Sequence, residues 1–146
     1  MANSFDITSA NCTLFLTVEE IYPGGIELQR FSTDQAFSQG ETQIAETRMG
    51  VDGGMSAGFT PNIKAVTVML EPNSDSYDAL AKLYKAMETN RKIYSCTLVA
   101  RAPALGIEWS WSEGTLQTGT IVPSAQRVFA PTTWVFHFQT LDTSTF

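Results

Sequence analysis

A chain of 146 residues can bury one core without metals or disulfide staples, and one domain spanning 1–146 is the expectation. Charged residues make up 16% of it and hydrophobic residues 43%. The charged share is below the roughly 25% of ordinary soluble domains, so association is expected to cover part of an apolar surface. The net charge of −6 argues against tight nucleic-acid binding, which needs Lys and Arg against phosphate, though not against a nucleic acid that slides past without sticking.

Met1–Ala10 carries neither a basic patch nor an apolar run, so no secretory signal is visible. The longest apolar stretch, near Ala65–Leu70, is too short to span a bilayer, and no membrane partner is expected. Cys12 and Cys96 sit in strand-like segments and read as buried free thiols rather than a disulfide. Asn11-Cys12-Thr13 fits a glycosylation sequon, which carries no weight without a signal peptide.

Cys12, Leu14, Leu16 and Val18 alternate with Thr13, Thr17 and Glu19, which predicts a half-buried strand. Pro23-Gly24-Gly25 reads as a turn. A second strand, Ile26–Phe31, then turns Ile26 and Leu28 inward and Glu27 and Gln29 outward, completing a hairpin. From 32 to 62 the chain is rich in Gly, Ser, Thr and Gln, with Gln43–Met49 a candidate polar strand and 51–56 a turn. A stretch this long without a core face is unusual inside a compact domain. It predicts either disorder or an extended arm whose partner is another chain. Its few apolar residues are Phe37, Ile44, Met49, Val51, Met55 and Phe59.

Ala65–Leu70 is a β-branched, apolar strand stopped by Glu71-Pro72-Asn73. Ser74 or Asp75 can cap a helix over 75–89, with Asp75 and Asp78 favoured in its first turn. Tyr77, Leu80, Ala81, Tyr84 and Met87, widened by Leu83, form its apolar stripe. Strands follow at Ile93–Arg101, around Trp109 and Trp111, at Thr115–Val122 after a Glu113-Gly114 turn, and at Thr132–Leu141, where Trp134, Phe136 and Phe138 share one face. The fold class is therefore mainly β: a sandwich or barrel of six to eight strands with one flanking helix and a long extended loop.

Motifs for chemistry are missing. There is no G-x-S-x-G elbow, and the glycines of 50–58 lack the Gly-Lys-Ser/Thr ending of a phosphate loop and the dinucleotide fingerprint. His137 is the sole histidine and reads as structural; no Cys/His cluster suggests zinc. Asp75 and Asp78 are better explained as helix-terminal acids than as a metal or acid pair. Trp109 and Trp111 alternate as in a sugar-binding platform, with core or subunit contact the favoured reading. Arg91-Lys92 is too small a basic spot for a nucleic-acid site. An enzyme, a cofactor and a metal are not expected. A structural subunit and a carbohydrate-binding module are the classes left, and low charge with an unanchored arm favours the first.

The order of Met49-Gly50-Val51-Asp52-Gly53-Gly54, the strand within Pro61–Leu70, and Asn73-Ser74-Asp75-Ser76-Tyr77-Asp78-Ala79-Leu80 resembles tail tube proteins of tailed bacteriophages over about residues 30–100. The resemblance implies a structural virion protein whose hexameric rings stack into the tail tube, the channel for DNA ejection. The 32–62 arm would reach the adjacent ring. Implied partners are further copies and other tail proteins: sheath if the tail contracts, tape measure, baseplate or initiator, and terminator. DNA passes without specific binding, and assembly occurs in the host cytoplasm. A tube initiator, another tail-terminal protein and a secretion-system ring protein of similar fold are the alternatives. Glu27 and Gln29 are candidates for the lumen, because a water-filled channel needs a polar strand face.

Overall fold

A computed structural model describes residues 12–28 and 37–145. Among them nine strands and one helix run in the order β1 (Thr13–Val18), β2 (Tyr22–Leu28), β3 (Phe37–Gln39), β4 (Ala45–Met49), β5 (Met55–Phe59), β6 (Lys64–Leu70), α1 (Asp75–Asn90), β7 (Cys96–Ala102), β8 (Ile107–Gly119) and β9 (Thr132–Thr145). Seven strands form one antiparallel sheet in the order β2-β1-β7-β8-β9-β6-β3, while β4 and β5 pair only with each other. The expected mainly β fold with one flanking helix is present. The main sheet stays open, however, with β2 and β3 as its two edges, and there are more strands than the six to eight expected. The additions, β3 and β5, lie in the polar, glycine-rich segment, where no alternating core face marks them, whereas β4 falls on the candidate polar strand Gln43–Met49.

Two long strands organise the sheet. β7 pairs with the first half of β8, from Ile107 to Gly114, whereas β6 pairs with the first half of β9, from Thr132 to Phe138. β8 and β9 pair with each other along their whole length. Trp111 and Leu116 both face the core although five residues apart, so the alternation of β8 slips once between them. Glu113 takes up the slip with φ 57. Phe138 and Leu141 force a matching slip on β9. The Glu113-Gly114 pair is thus a bend inside a continuous strand, not the turn its residue types suggest. Strands that bend like this let one sheet wrap over its own inner face. The far edge confirms the wrap: Trp111 Nε1 on β8 donates to Gln39 Oε1 on β3 at 2.7 Å, across three strand spacings of about 4.8 Å each in a flat sheet.

Pro23-Gly24-Gly25 also lies inside a strand. Val18 pairs with Tyr22 and Leu16 with Ile26, so Pro23, Gly24 and Gly25 bulge opposite Thr17. An edge strand tolerates proline because one side of its backbone needs no ladder donor. Gly25 has φ +81, and a Cβ there would sit 2.1 Å from the Phe15 ring. The hairpin turn falls instead at Glu19–Ile21.

The core is one cluster. It joins Leu14, Leu16, Val18, Val66, Val68, Leu98, Trp134, Phe136 and Phe138 from the sheet with Leu80 and Leu83 from α1. Ser74 caps α1, its Oγ accepting from Tyr77 N at 3.1 Å. Arg91 ends it in the left-handed conformation, its N–H directed to the Met87 carbonyl. Tyr77, Tyr84 and Met87 pack on the core from the helix as the stripe requires. The Tyr77 ring stands edge-on to Trp134 at 6.1 Å, and its hydroxyl donates to the Ile121 carbonyl.

Candidate assembly surface

The 40–62 segment folds as a two-stranded hairpin that stands off the sheet. Ala45 pairs with Phe59, Thr47 with Ala57 and Met49 with Met55. Paired residues share a face, and the faces alternate along each strand. One face of the hairpin is therefore Ala45, Thr47, Met49, Met55, Ala57 and Phe59, and the other is Glu46, Arg48, Ser56 and Gly58. Every residue of both strands is exposed. Met49 is 67%, Met55 68% and Phe59 81% exposed, so the apolar face meets solvent rather than the chain's own core.

The tip and the base are well made. Gly50 N donates to Gly54 O at 2.7 Å and Gly53 N to Gly50 O at 3.1 Å. Asp52 Oδ1 accepts from Gly54 N at 3.0 Å, and Gly53 takes φ +83, which only glycine adopts without strain. Val51 projects from the tip, fully exposed. At the base, Thr60 N donates to Ile44 O at 3.0 Å and Asn62 Nδ2 to Gln43 O at 2.9 Å. The segment thus closes its tip and base with its own hydrogen bonds while offering side chains outward.

Of the six arm residues marked in the sequence, five stand on this projection: Ile44, Met49, Val51, Met55 and Phe59. Phe37 does not. It lies on β3, pairs with Val68 and packs half-buried on the core. The structure therefore separates the segment into an edge strand that belongs to the main sheet and a hairpin that does not.

The outward face of the β2-β1-β7-β8 half of the sheet mixes small hydroxyl side chains with the larger Phe15, Val99 and Arg101. It carries Thr13 and Thr17, Thr97, and Ser110 and Ser112, with Phe15 beside Gly25. Glu27 lies on this face of β2, exposed, opposite Phe15. Gln29 lies outside the described residues. Arg101 on β7 faces Glu108 on β8, with 3.8 Å between Nε and Oε2.

The remaining candidates are placed as structural parts. Trp111 is buried and hydrogen-bonded to Gln39, and Trp109 packs against the core, so neither presents a flat surface platform. His137 is half-buried between Ala65 and Thr115 on the outer face of its strands. Asp75 and Asp78 stand in the first turn of α1. Lys92 Nζ meets Glu20 Oε1 at 2.7 Å; that hydrogen bond raises the lysine pKa. Both cysteines are free thiols: Cys96 is buried and Cys12 half-buried. Burial pushes the Cys96 thiol up to about 11, offset slightly by a backbone hydrogen bond from Leu116. Among the described residues no group of three or more His, Cys, Asp or Glu could hold a metal, and no helix is long and apolar enough to cross a membrane.

Solved structures from contractile injection systems contain chains of similar fold. A chain from the anti-feeding prophage baseplate superposes with TM-score 0.63 and 12% identity, covering 99% of this chain and 98% of that one. A chain from the tube-terminating cap of the same particle gives 0.62 and 11%, covering 100% and 95%. A chain from the sheath–tube complex of an extracellular contractile injection system, PVC, in its extended state gives 0.62 and 12%, covering 98% and 94%. At these identities the likeness establishes a shared fold. No curated protein sequence matches significantly. The family model described as "Tail fiber protein gp32" matches residues 5–142, and the chain belongs to that family.

Proposed function

We propose that this chain is a structural subunit of a phage-type tail, forming hexameric rings that stack into a tube, and that it performs no catalysis. The observation that carries the reading is the hairpin. A ladder of five residue pairs holds Met49, Met55 and Phe59 on one solvent-facing side. An exposed apolar face on a protruding element marks a contact surface, because solvent contact forgoes roughly 25 cal/mol per Å² that burial would recover. The tail-protein family and the shared fold with chains from sheath–tube, cap and baseplate assemblies support it.

The open edges β2 and β3 fit the same reading, since unpaired edges invite pairing unless neighbours cover them. The face that includes Glu27 carries the hydroxyls of Thr13, Thr17, Thr97, Ser110 and Ser112, which suit a channel wall. It offers phosphate few cations, and Arg101 already faces Glu108. In this role DNA passes through the lumen without a specific site. Partners are further copies and the other tail proteins, and the finished location is the particle's tail.

A cap or terminator role is the second reading, favoured by the match to the cap chain over the whole of this chain. Electron microscopy of the purified protein separates the two. Tubes of variable length support the tube subunit, and isolated single rings support the terminator. A uniform monomer at high concentration argues against both.

A further inference from the structure

Met49 and Met55 are cross-strand partners on the last rung before the hairpin tip. Directly opposed residues hold their Cβ atoms about 4.5–5.5 Å apart on one face, so the two thioethers lie side by side. Both are exposed. The next pair on the same face, Thr47 and Ala57, is too small to cover either sulfur. The other methionines differ. Met87 packs against the core from α1, Met69 is half-buried on β6, and Met1 lies outside the described residues. The thiols compete poorly for an oxidant, because burial raises the pKa of Cys12 and Cys96 and a thiol reacts as its thiolate. A thioether needs no such deprotonation.

We propose that Met49 and Met55 form a paired oxidation site, converted to sulfoxides by hydrogen peroxide while the chain is free, and that the modified chain is withdrawn from assembly. In each step a sulfur lone pair attacks one peroxide oxygen, and the S–O bond forms as the O–O bond breaks. The departing hydroxide takes the proton left on the sulfoxide oxygen and becomes water. The sulfur loses two electrons and the peroxide gains them. A flexible apolar side chain becomes a polar one with a strong acceptor oxygen. Covering that oxygen without a donor weakens a contact by about tenfold or more per sulfoxide. Copies already inside a particle shield the pair, so the chemistry acts on free chains. The withdrawal rests on the assembly reading above and adds a chemical control to it; the site itself follows from exposure and pairing.

The test treats the free full chain with hydrogen peroxide, then follows its peptides by mass spectrometry and its assembly by sedimentation. Met49 and Met55 should each gain one oxygen before Met69 and Met87 do, and the sedimenting fraction should fall in step. Methionine sulfoxide reductases with dithiothreitol should restore it, and dithiothreitol alone, which reverses only thiol oxidation, should not. Met49→Leu with Met55→Leu keeps the face apolar and should sediment after peroxide as it does before. Oxidation of Met69 or Met87 first, unchanged sedimentation of the oxidised wild type, recovery with dithiothreitol alone, or an equal loss in the double variant each overturn the proposal and leave the assembly reading standing. An untreated wild-type chain that never sediments overturns both the assembly reading and the withdrawal.

Discussion

Gly114 occupies one of the tightest positions in the fold, and Gly114→Ala measures how firmly the bent strand holds the core. The residue lies on β8 opposite Phe138 and beside Cys96. A Cβ there would stand 2.2 Å from Phe138 Cδ1 and 2.3 Å from the His137 carbonyl oxygen. Phe138 is 1% exposed and stacks on Phe136 at 6.0 Å between centroids, with Trp111 at 6.4 Å on another side. The ring is held between Phe136 and Trp111, and the carbonyl belongs to a strand bonded on both sides. Overpacking typically costs about 1–3 kcal/mol, and a backbone collision places this case near 3. For a chain of this size, about 2–4 °C per kcal/mol converts that to a melting point lower by roughly 6–12 °C. Circular dichroism melts, at a fixed concentration that keeps the chain monomeric, make the measurement. Gly40→Ala is the control, because nothing lies within 4 Å of a Cβ there. If both variants melt with the wild type, the packing of β8 against β9 is not as described.

Other consequences follow from single sites. Leu80→Ala removes a fully buried helix side chain and should cost about 2–5 kcal/mol in urea unfolding. Met55→Ser with Phe59→Ser alters only exposed side chains, so monomer stability should shift by no more than about 0.5 kcal/mol per site while sedimenting assemblies disappear. The Cys96 thiol is raised from 9.0 to about 11 by burial, so the folded state holds its proton more tightly than the unfolded chain. This contribution is fully present below pH 9 and is lost as pH climbs through about 11. Denaturation series across that window should show a shallower fall in stability for Cys96→Ala than for the wild type.

Regular periodicity made much of the fold legible. Leu14-Leu16-Val18, the strand ending at Leu70, the helix stripe and Trp134-Phe136-Phe138 all keep one face on the core, and each took its expected form. The misreadings share one cause. Pro23-Gly24-Gly25 and Glu113-Gly114 have turn composition, but neighbouring strands absorb them as a bulge and a bend. Local residue types do not report what lies across the ladder. Gly114 is needed because Phe138 sits opposite, a partner 24 residues away. The arm was visible as sparse, unanchored hydrophobics. Its pairing was not, because Ala45, Thr47 and Ala57 are too small or polar to mark a face, and Met49 and Met55 sit on either side of the glycine tip. Phe37 looked like part of the arm since β3 is only three residues long.

Hydrogen exchange on the hairpin tests the central claim most directly. The backbone amides of 45–49 and 55–59 should exchange quickly in the free chain, where a lone two-stranded ladder is marginal in water. The same amides should become strongly protected in sedimented assemblies, while those of β6 and β9 are protected in both. Equal protection of the hairpin in free and assembled protein would contradict its role as the contact between subunits.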